Sequence, residues 1–172
     1  QNLNPNQLIK IDGKIMGIAM SVNNQHLMYR KDIFDNLGIA EPKTYDDVLA
    51  AAEKIKAANV VDYPFGGAYK SGWNLAEEFV NMYLGNGGEF FGEGNAPSLN
   101  NAAGVKSLET MKKLTAYMDP EYLTSDSTYA QKQMQQEKIA MAYLWATRAG
   151  AMDNAEESKV VGKIVMASAP MG

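Results

Sequence analysis

The sequence predicts an α/β domain, a mixed β-sheet flanked by helices, and three observations carry that prediction. Short apolar runs rich in Ile, Val and Met alternate with segments of helical period. No internal repeat or low-complexity block interrupts them. The 172 residues, 46% of them hydrophobic, suffice for one core of ordinary size.

Taken in order, Lys14 to Met20 reads as a strand introduced by the turn pair Asp12-Gly13, and Leu27 to Tyr29 as a second. Asp32 to Leu37 reads as a short helix that Gly38 ends by taking the left-handed conformation. Thr44 opens a longer helix: its hydroxyl can accept from the amide three residues on, and Asp46 and Asp47 complement the positive end of the helix dipole. Val48, Ala51, Ala52 and Ile55 form the buried stripe of that helix.

Leu75 to Leu84 is a third helix, apolar at Leu75, Phe79, Met82 and Tyr83, with Gly85 as its stop and Gly85 to Gly88 as a tight turn. Asn100 or Asn101 caps a fourth, whose Val105, Leu108, Met111, Leu114 and Met118 recur every three or four residues before Asp119-Pro120 closes it. Thr128 to Gln136 follows as a polar helix, Ile139 to Leu144 as a buried strand, Thr147 to Asp153 as a short helix and Val160 to Ala167 as a final strand.

Charge and composition exclude several functions. With 16 basic against 20 acidic residues, a net charge of −4 and no Lys/Arg run beyond two neighbours, the footprint of a nucleic-acid binder is missing. No apolar run approaches the roughly 20 residues of a membrane helix. The N-terminal Gln1-Asn-Leu-Asn-Pro-Asn6 lacks the layout of a secretory signal, so the chain as given is expected to be soluble and already processed or truncated.

Zero cysteines exclude thiolate nucleophiles, zinc–thiolate sites and disulfides, without deciding the compartment. The single histidine, His26, removes His-pair metal sites and reads as a strand residue beside Leu27-Met28. No cofactor is expected. The glycines at 85, 87, 88, 92 and 94 fail both phosphate-cradling patterns. Glu77 and Glu78, adjacent on a helix, diverge by about 100° and read as a solvated helix start.

The order of certain segments adds a resemblance. Ile11-Asp-Gly-Lys-Ile-Met-Gly-Ile-Ala-Met20, Tyr29-Arg-Lys-Asp32 and Pro42-Lys-Thr-Tyr-Asp-Asp47 resemble the D/N-G-K-x-Y-G-x-P, Y-N-K-D-L-F and P-K-T-W-D-E segments of the family 1 extracellular solute-binding proteins of bacterial ABC sugar importers. Ala103 to Leu114 and Met134-Gln-Gln-Glu-Lys-Ile-Ala-Met141 are similar to that family's N-x-x-G-x-x-A-L-x-F-L-K-x-L helix and F-x-x-G-K-A-A-M strand entry. The departure is Glu137, where the family usually has glycine, which puts the turn geometry there in question.

The resemblance implies the periplasmic-binding-protein type II fold. Residues 1–172 would form one lobe of a two-lobe protein, both termini at the interlobe hinge. It further implies capture of a carbohydrate in the interlobe cleft without chemistry, hinge closure, and delivery to an ABC transporter membrane permease. The expected setting is periplasmic or extracellular, with or without a lipid anchor, and the expected full-length form is a monomer. A carbohydrate-active enzyme lobe, or a ligand-sensing partner-binding domain, is the competing reading.

The candidate ligand-binding residues are aromatics and polar groups at strand-to-loop junctions: Trp145, Trp73, Arg148, Asn23, Asn74 and Ser71. An indole offers a flat surface for the C–H face of a sugar ring while its N–H stays free to donate, and in α/β sheets ligands gather outside the carboxyl ends of strands. Trp73 sits in a loop leading into the third helix, and Trp145 follows the Ile139 to Leu144 strand. The resemblance also places stacking aromatics at both segments. The competing reading of each tryptophan is a core anchor.

Arg148 can offer hydrogen bonds to vicinal hydroxyls or to a carboxylate, or else form an ion pair with Asp153 or a neighbouring acid. Asn23, where the chain leaves the first strand, can donate and accept, with turn chemistry as the alternative. Asn74 and Ser71 flank Trp73.

Overall fold

The computed structural model describes residues 3–21 and 23–172, so the N-terminal segment expected to lack a secretory-signal layout lies partly outside the described residues. Among the described residues six strands and six α-helices follow one another, with short 3-10 turns before, between or after some of them. Strands β1 (Leu8–Ile11) and β2 (Lys14–Ile18) form a separate antiparallel hairpin. Asp12 and Gly13 join them with positive φ at both positions (50° and 76°), the backbone a tight two-residue hairpin turn requires. The expected strand from Lys14 thus ends at Ile18 and has a partner that the sequence reading did not assign. The hairpin's apolar residues Ile9, Ile11, Ile15 and Met16 stand in solvent.

The main sheet has the order β4-β5-β3-β6. β3 (Gln25–Arg30) lies at its centre, antiparallel to both β5 (Ile139–Trp145) and β6 (Ile164–Ala167), while β4 (Tyr63–Gly66) runs parallel to β5 at one edge. β4 is absent from the sequence expectations because Pro64 and the glycines beside it argue against a strand; at an edge, a proline's missing donor costs no ladder bond. The final strand is shorter than expected: Val160 is buried but precedes β6 in a turn.

Period-two alternation divides the core into two layers. Leu27, Tyr29, Phe65, Met141 and Tyr143 face one side and pack with helices α2 (Tyr45–Ala58), α3 (Trp73–Gly85) and α4 (Ala102–Leu114). Met28, Ala142 and Leu144 face the other side with α5 (Ser127–Gln135) and α6 (Ala149–Met152). The expected mixed sheet with helices on both faces is the architecture found.

Local signals fix most helix ends. α1 (Lys31–Leu37) stops at Gly38, which takes φ 61°, ψ 44°. The Thr44 hydroxyl accepts from the Asp47 amide at 3.1 Å while the Asp47 carboxylate accepts from the Thr44 amide at 2.9 Å, a reciprocal capping box. Asn101 caps α4 through its Gly104 amide, and Asp126 caps α5.

The buried face of α4 differs from the expected one. Val105 and Leu108 are exposed, and Gly104, Ser107, Met111 and Leu114 turn inward. A Cβ at Gly104 would run into the Leu99 carbonyl, and the Ser107 hydroxyl accepts from the Asn86 amide at 3.0 Å, so small residues serve a close approach here. The helix also ends at Leu114; Met118 is buried from the segment beyond it.

Glu137 takes φ 63°, the left-handed backbone that a glycine would adopt without strain. The turn questioned by the glycine departure is thus formed with a non-glycine residue. Its carboxylate lies 2.9 Å from the Lys163 ammonium and 3.4 Å from the Arg30 guanidinium.

Candidate functional site

The carboxyl ends of β4 and β5 and the amino end of β3 fall on one edge of the sheet, since Gln25 pairs with Trp145. Three segments therefore meet there: the loop from β4 into α3, the turn after β5, and the approach to β3. α5 runs back along the sheet to β5, which brings its first residue, Ser127, to the same edge. An open depression of about 550 Å³ lies at this junction, lined by Asn23, Trp73, Ser127, Trp145, Thr147 and Arg148. A smaller one, about 370 Å³, lies beside it and shares Asn23 and Trp145 with it.

Four of the six expected residues, Trp145, Trp73, Arg148 and Asn23, thus line one opening. Trp73 is the first residue of α3, one position inside the helix and not in the loop before it, and its side chain is 71% exposed. That exposure rules out the core-anchor reading for this residue. Trp145 is half-buried at the last position of β5. Alternation sets it on the same side as Met141 and Tyr143, toward α3.

Asn23 holds the turn after β5 in place: its Oδ1 accepts from the Thr147 amide at 3.3 Å, and the carbonyl of Asn24 accepts from the Ala146 amide at 2.9 Å. Asn23 lines the depression, and its amide nitrogen has no partner among the described hydrogen bonds. Asn74 does not line the opening; its Oδ1 accepts from the Ser127 amide at 3.2 Å and fixes the start of α5 against α3. Ser71 is exposed in the turn before α3 and lines none of the depressions described here.

Arg148 is tied down by neutral groups only. Its Nη1 donates to Gln131 Oε1 at 2.8 Å, and its Nη2 donates to Ser127 Oγ at 3.1 Å and Thr128 Oγ1 at 3.3 Å. The alternative of an ion pair with Asp153 is not what forms, because the Asp153 carboxylate accepts from the Gly162 amide instead. Ser127 and Thr147 were not among the sequence candidates. Ser127 could have been found from Asp126, whose capping role sets the start of α5 opposite the end of β5.

One carboxyl of α3 departs from the expected solvated helix start. Glu78 is buried, not solvated, and accepts from the Ala68 amide at 2.9 Å. Burial pushes its pKa from 4.5 to about 7, the single backbone hydrogen bond opposing that shift only in part. The hydroxyls of Tyr45 and Tyr143, pushed up in pKa chiefly by burial and further by the Glu78 charge, have no hydrogen-bond partner among the described residues. His26 sits in β3 with Nδ1 3.1 Å from the Ala167 carbonyl, a sheet position as expected.

The mixed sheet flanked by helices is the periplasmic-binding-protein type II fold, and a shallow wall of indole, amide and guanidinium groups lies at its strand ends. The chain belongs to the bacterial extracellular solute-binding protein family, whose model matches residues 5–170. That family is one of binding proteins and not of enzymes.

Among its relatives, a probable sugar-binding periplasmic protein of Mesorhizobium japonicum is 32% identical over 121 residues, 67% of this chain and 28% of that protein. A solute-binding protein of Agrobacterium radiobacter K84 in complex with ribitol superposes with a TM-score of 0.84 at 24% identity, covering 96% of this chain and 42% of that one. One from Agrobacterium vitis S4 with bound D-mannitol gives 0.81 at 25% identity, covering 97% and 43%. The chain therefore spans less than half the length of these relatives.

Proposed function

We propose that this chain is one lobe of a two-lobe carbohydrate-binding protein serving an ABC importer, with the wall around Trp73 and Trp145 forming half of the ligand cleft. The observation that carries this reading is the 71% exposure of Trp73 on a wall shared with Trp145, Asn23 and Arg148. An indole left in water beside convergent hydrogen-bonding groups suits a ring or chain that is apolar on one face and hydroxylated at its rim. The ribitol and D-mannitol held by two structural neighbours support a polyhydroxylated ligand.

Closure of the second lobe over this wall would complete the contacts, and the ligand would shift the open–closed equilibrium only by its preference for the closed form. Both ends of the chain would lie at the interlobe hinge, and the closed form would deliver its cargo to a membrane permease from the periplasm or cell exterior, with or without a lipid anchor. The reading is capture without chemistry, and among the described residues Glu77 is the carboxylate along the smaller depression, with no second one beside it in that lining.

The test is a thermal-shift screen of the full-length parent protein against a carbohydrate library, followed by Trp fluorescence titration with the hits. Quenching by a sugar or polyol that is recovered unchanged is expected. Turnover of that compound, abolished by one carboxylate substitution, would overturn the reading in favour of an enzyme.

A further inference from the structure

Resting on that carbohydrate reading, we infer that the ligand of this wall carries a carboxylate, as a uronic or aldonic acid does, and that Arg148 selects it. Among the described residues the charge of Arg148 is unbalanced within ion-pair distance. Arg148 lines the depression, yet no carboxylate lies within ion-pair distance of its guanidinium among the described residues. Its three bonds go to an amide oxygen and two hydroxyls, which hold the group in place without neutralising it. A guanidinium has five N–H donors, so two remain for a ligand.

Two acids lie nearby: Glu77 lines only the adjoining smaller depression, and Asp126, beside Ser127, is already committed. Asp126 accepts from the Thr128 and Tyr129 amides, and its other oxygen lies 4.0 Å from the Lys70 ammonium. The remaining groups around the larger depression, Asn23, Trp73, Ser127, Trp145 and Thr147, are neutral. Nor does the start of α5 balance Arg148, since a helix N-terminus has the same sign.

A neutral polyol can be satisfied by amides and hydroxyls alone, and would leave a partly desolvated cation without a counter-charge once the cleft closed. A carboxylate would supply one, since charge-assisted hydrogen bonds are about twice as strong as neutral ones. Held by its carboxylate, a sugar acid could still lay its C–H face on an indole, with Asn23 and Thr147 left for its hydroxyls.

The experiment is isothermal titration of the full-length parent with matched pairs, D-glucuronate against D-glucose and D-galacturonate against D-galactose, and with a sugar phosphate, each at low and high salt. The expected result is a preference of tenfold or more for at least one acid over its neutral partner, weakened by salt. In Arg148→Gln the acid-to-neutral ratio should fall to near one, and in Arg148→Lys part of the preference should return.

Tight binding of a neutral sugar with no gain from the carboxylate overturns the inference while leaving the carbohydrate reading intact. Preference for the sugar phosphate over both acids also overturns it. Failure of every sugar and sugar acid, including those found by the library screen, removes the carbohydrate reading itself. Should Arg148→Gln fail to fold, the wild-type preferences and their salt dependence decide.

Discussion

Glu137 holds a left-handed backbone while its carboxylate lies 3.4 Å from the buried guanidinium of Arg30. Arg30 is also gripped by Asp32 through two hydrogen bonds, at 2.8 and 2.6 Å, and its Nη1 finds no partner among the described residues. Glu137 thus combines an unfavourable backbone with a favourable charge, and two substitutions separate the effects. Glu137→Gly and Glu137→Ala lose the same ion pairs, but only alanine keeps the strained φ. Alanine should therefore be about 1 kcal/mol less stable than glycine by urea denaturation. Equal midpoints would mean that the backbone there is not strained.

Glu78 should make the fold sensitive to pH. Its folded pKa of about 7 stands above the ordinary 4.5, so between those values the folded chain binds more protons than the unfolded one. This group's contribution to stability is therefore fully present below pH 4.5 and is lost as pH rises through 7, by about 3 kcal/mol in all. Glu78→Gln keeps the acceptor for the Ala68 amide and cannot ionise. Denaturant midpoints of the variant at pH 5 and pH 8 should converge, and persistence of the wild-type slope would point to another group.

Trp73→Ala separates binding from folding. A side chain 71% exposed leaves little to lose on unfolding. Stability should change by no more than about 0.5 kcal/mol, whereas affinity of the full-length protein for its carbohydrate should fall about tenfold. Melting curves and ligand titrations on the same preparation give both numbers; retained affinity would take Trp73 out of the cleft.

Asn74→Ala tests the support beneath Arg148. It removes the acceptor for the Ser127 amide, and Ser127 in turn holds the guanidinium. A loss of about 1 kcal/mol in stability is expected, together with weaker ligand binding although Asn74 does not line the opening. Unchanged affinity would show that α5 is positioned without it.

Where the fold was legible, the signal was local. Thr44 with Asp47 and Gly38 announce their helix ends through bonds made within a few residues. β4 was not, because what makes Tyr63–Gly66 a strand is pairing with β5, more than 70 positions away, and its Pro64 argues the other way. The face of α4 was misread for a related reason: periodicity picks out Val105 and Leu108, but the neighbouring backbone at Leu99 approaches too closely for anything larger than Gly104.

The candidate site divides in the same manner. Trp145 and Arg148 follow a recognisable strand, so their placement at its carboxyl end could be inferred from chain order. The burial of Glu78 could not, since a Glu-Glu pair on a helix is the usual mark of a wetted face, and only the fold of the β4–α3 connection over it makes it otherwise.

The β1–β2 ribbon has a consequence for handling the protein. Two strands bonded only to each other are marginal in water, and this pair presents Ile9, Ile11, Ile15, Met16 and Ile18 outward. Expressed by itself, the 172-residue chain should therefore be sticky at high concentration, and the ribbon's amides should exchange with deuterium long before those of β3 and β5. Replacing Ile9 and Ile15 with threonine would keep the strand preference, make the surface wettable and give a better-behaved sample for crystals or spectra.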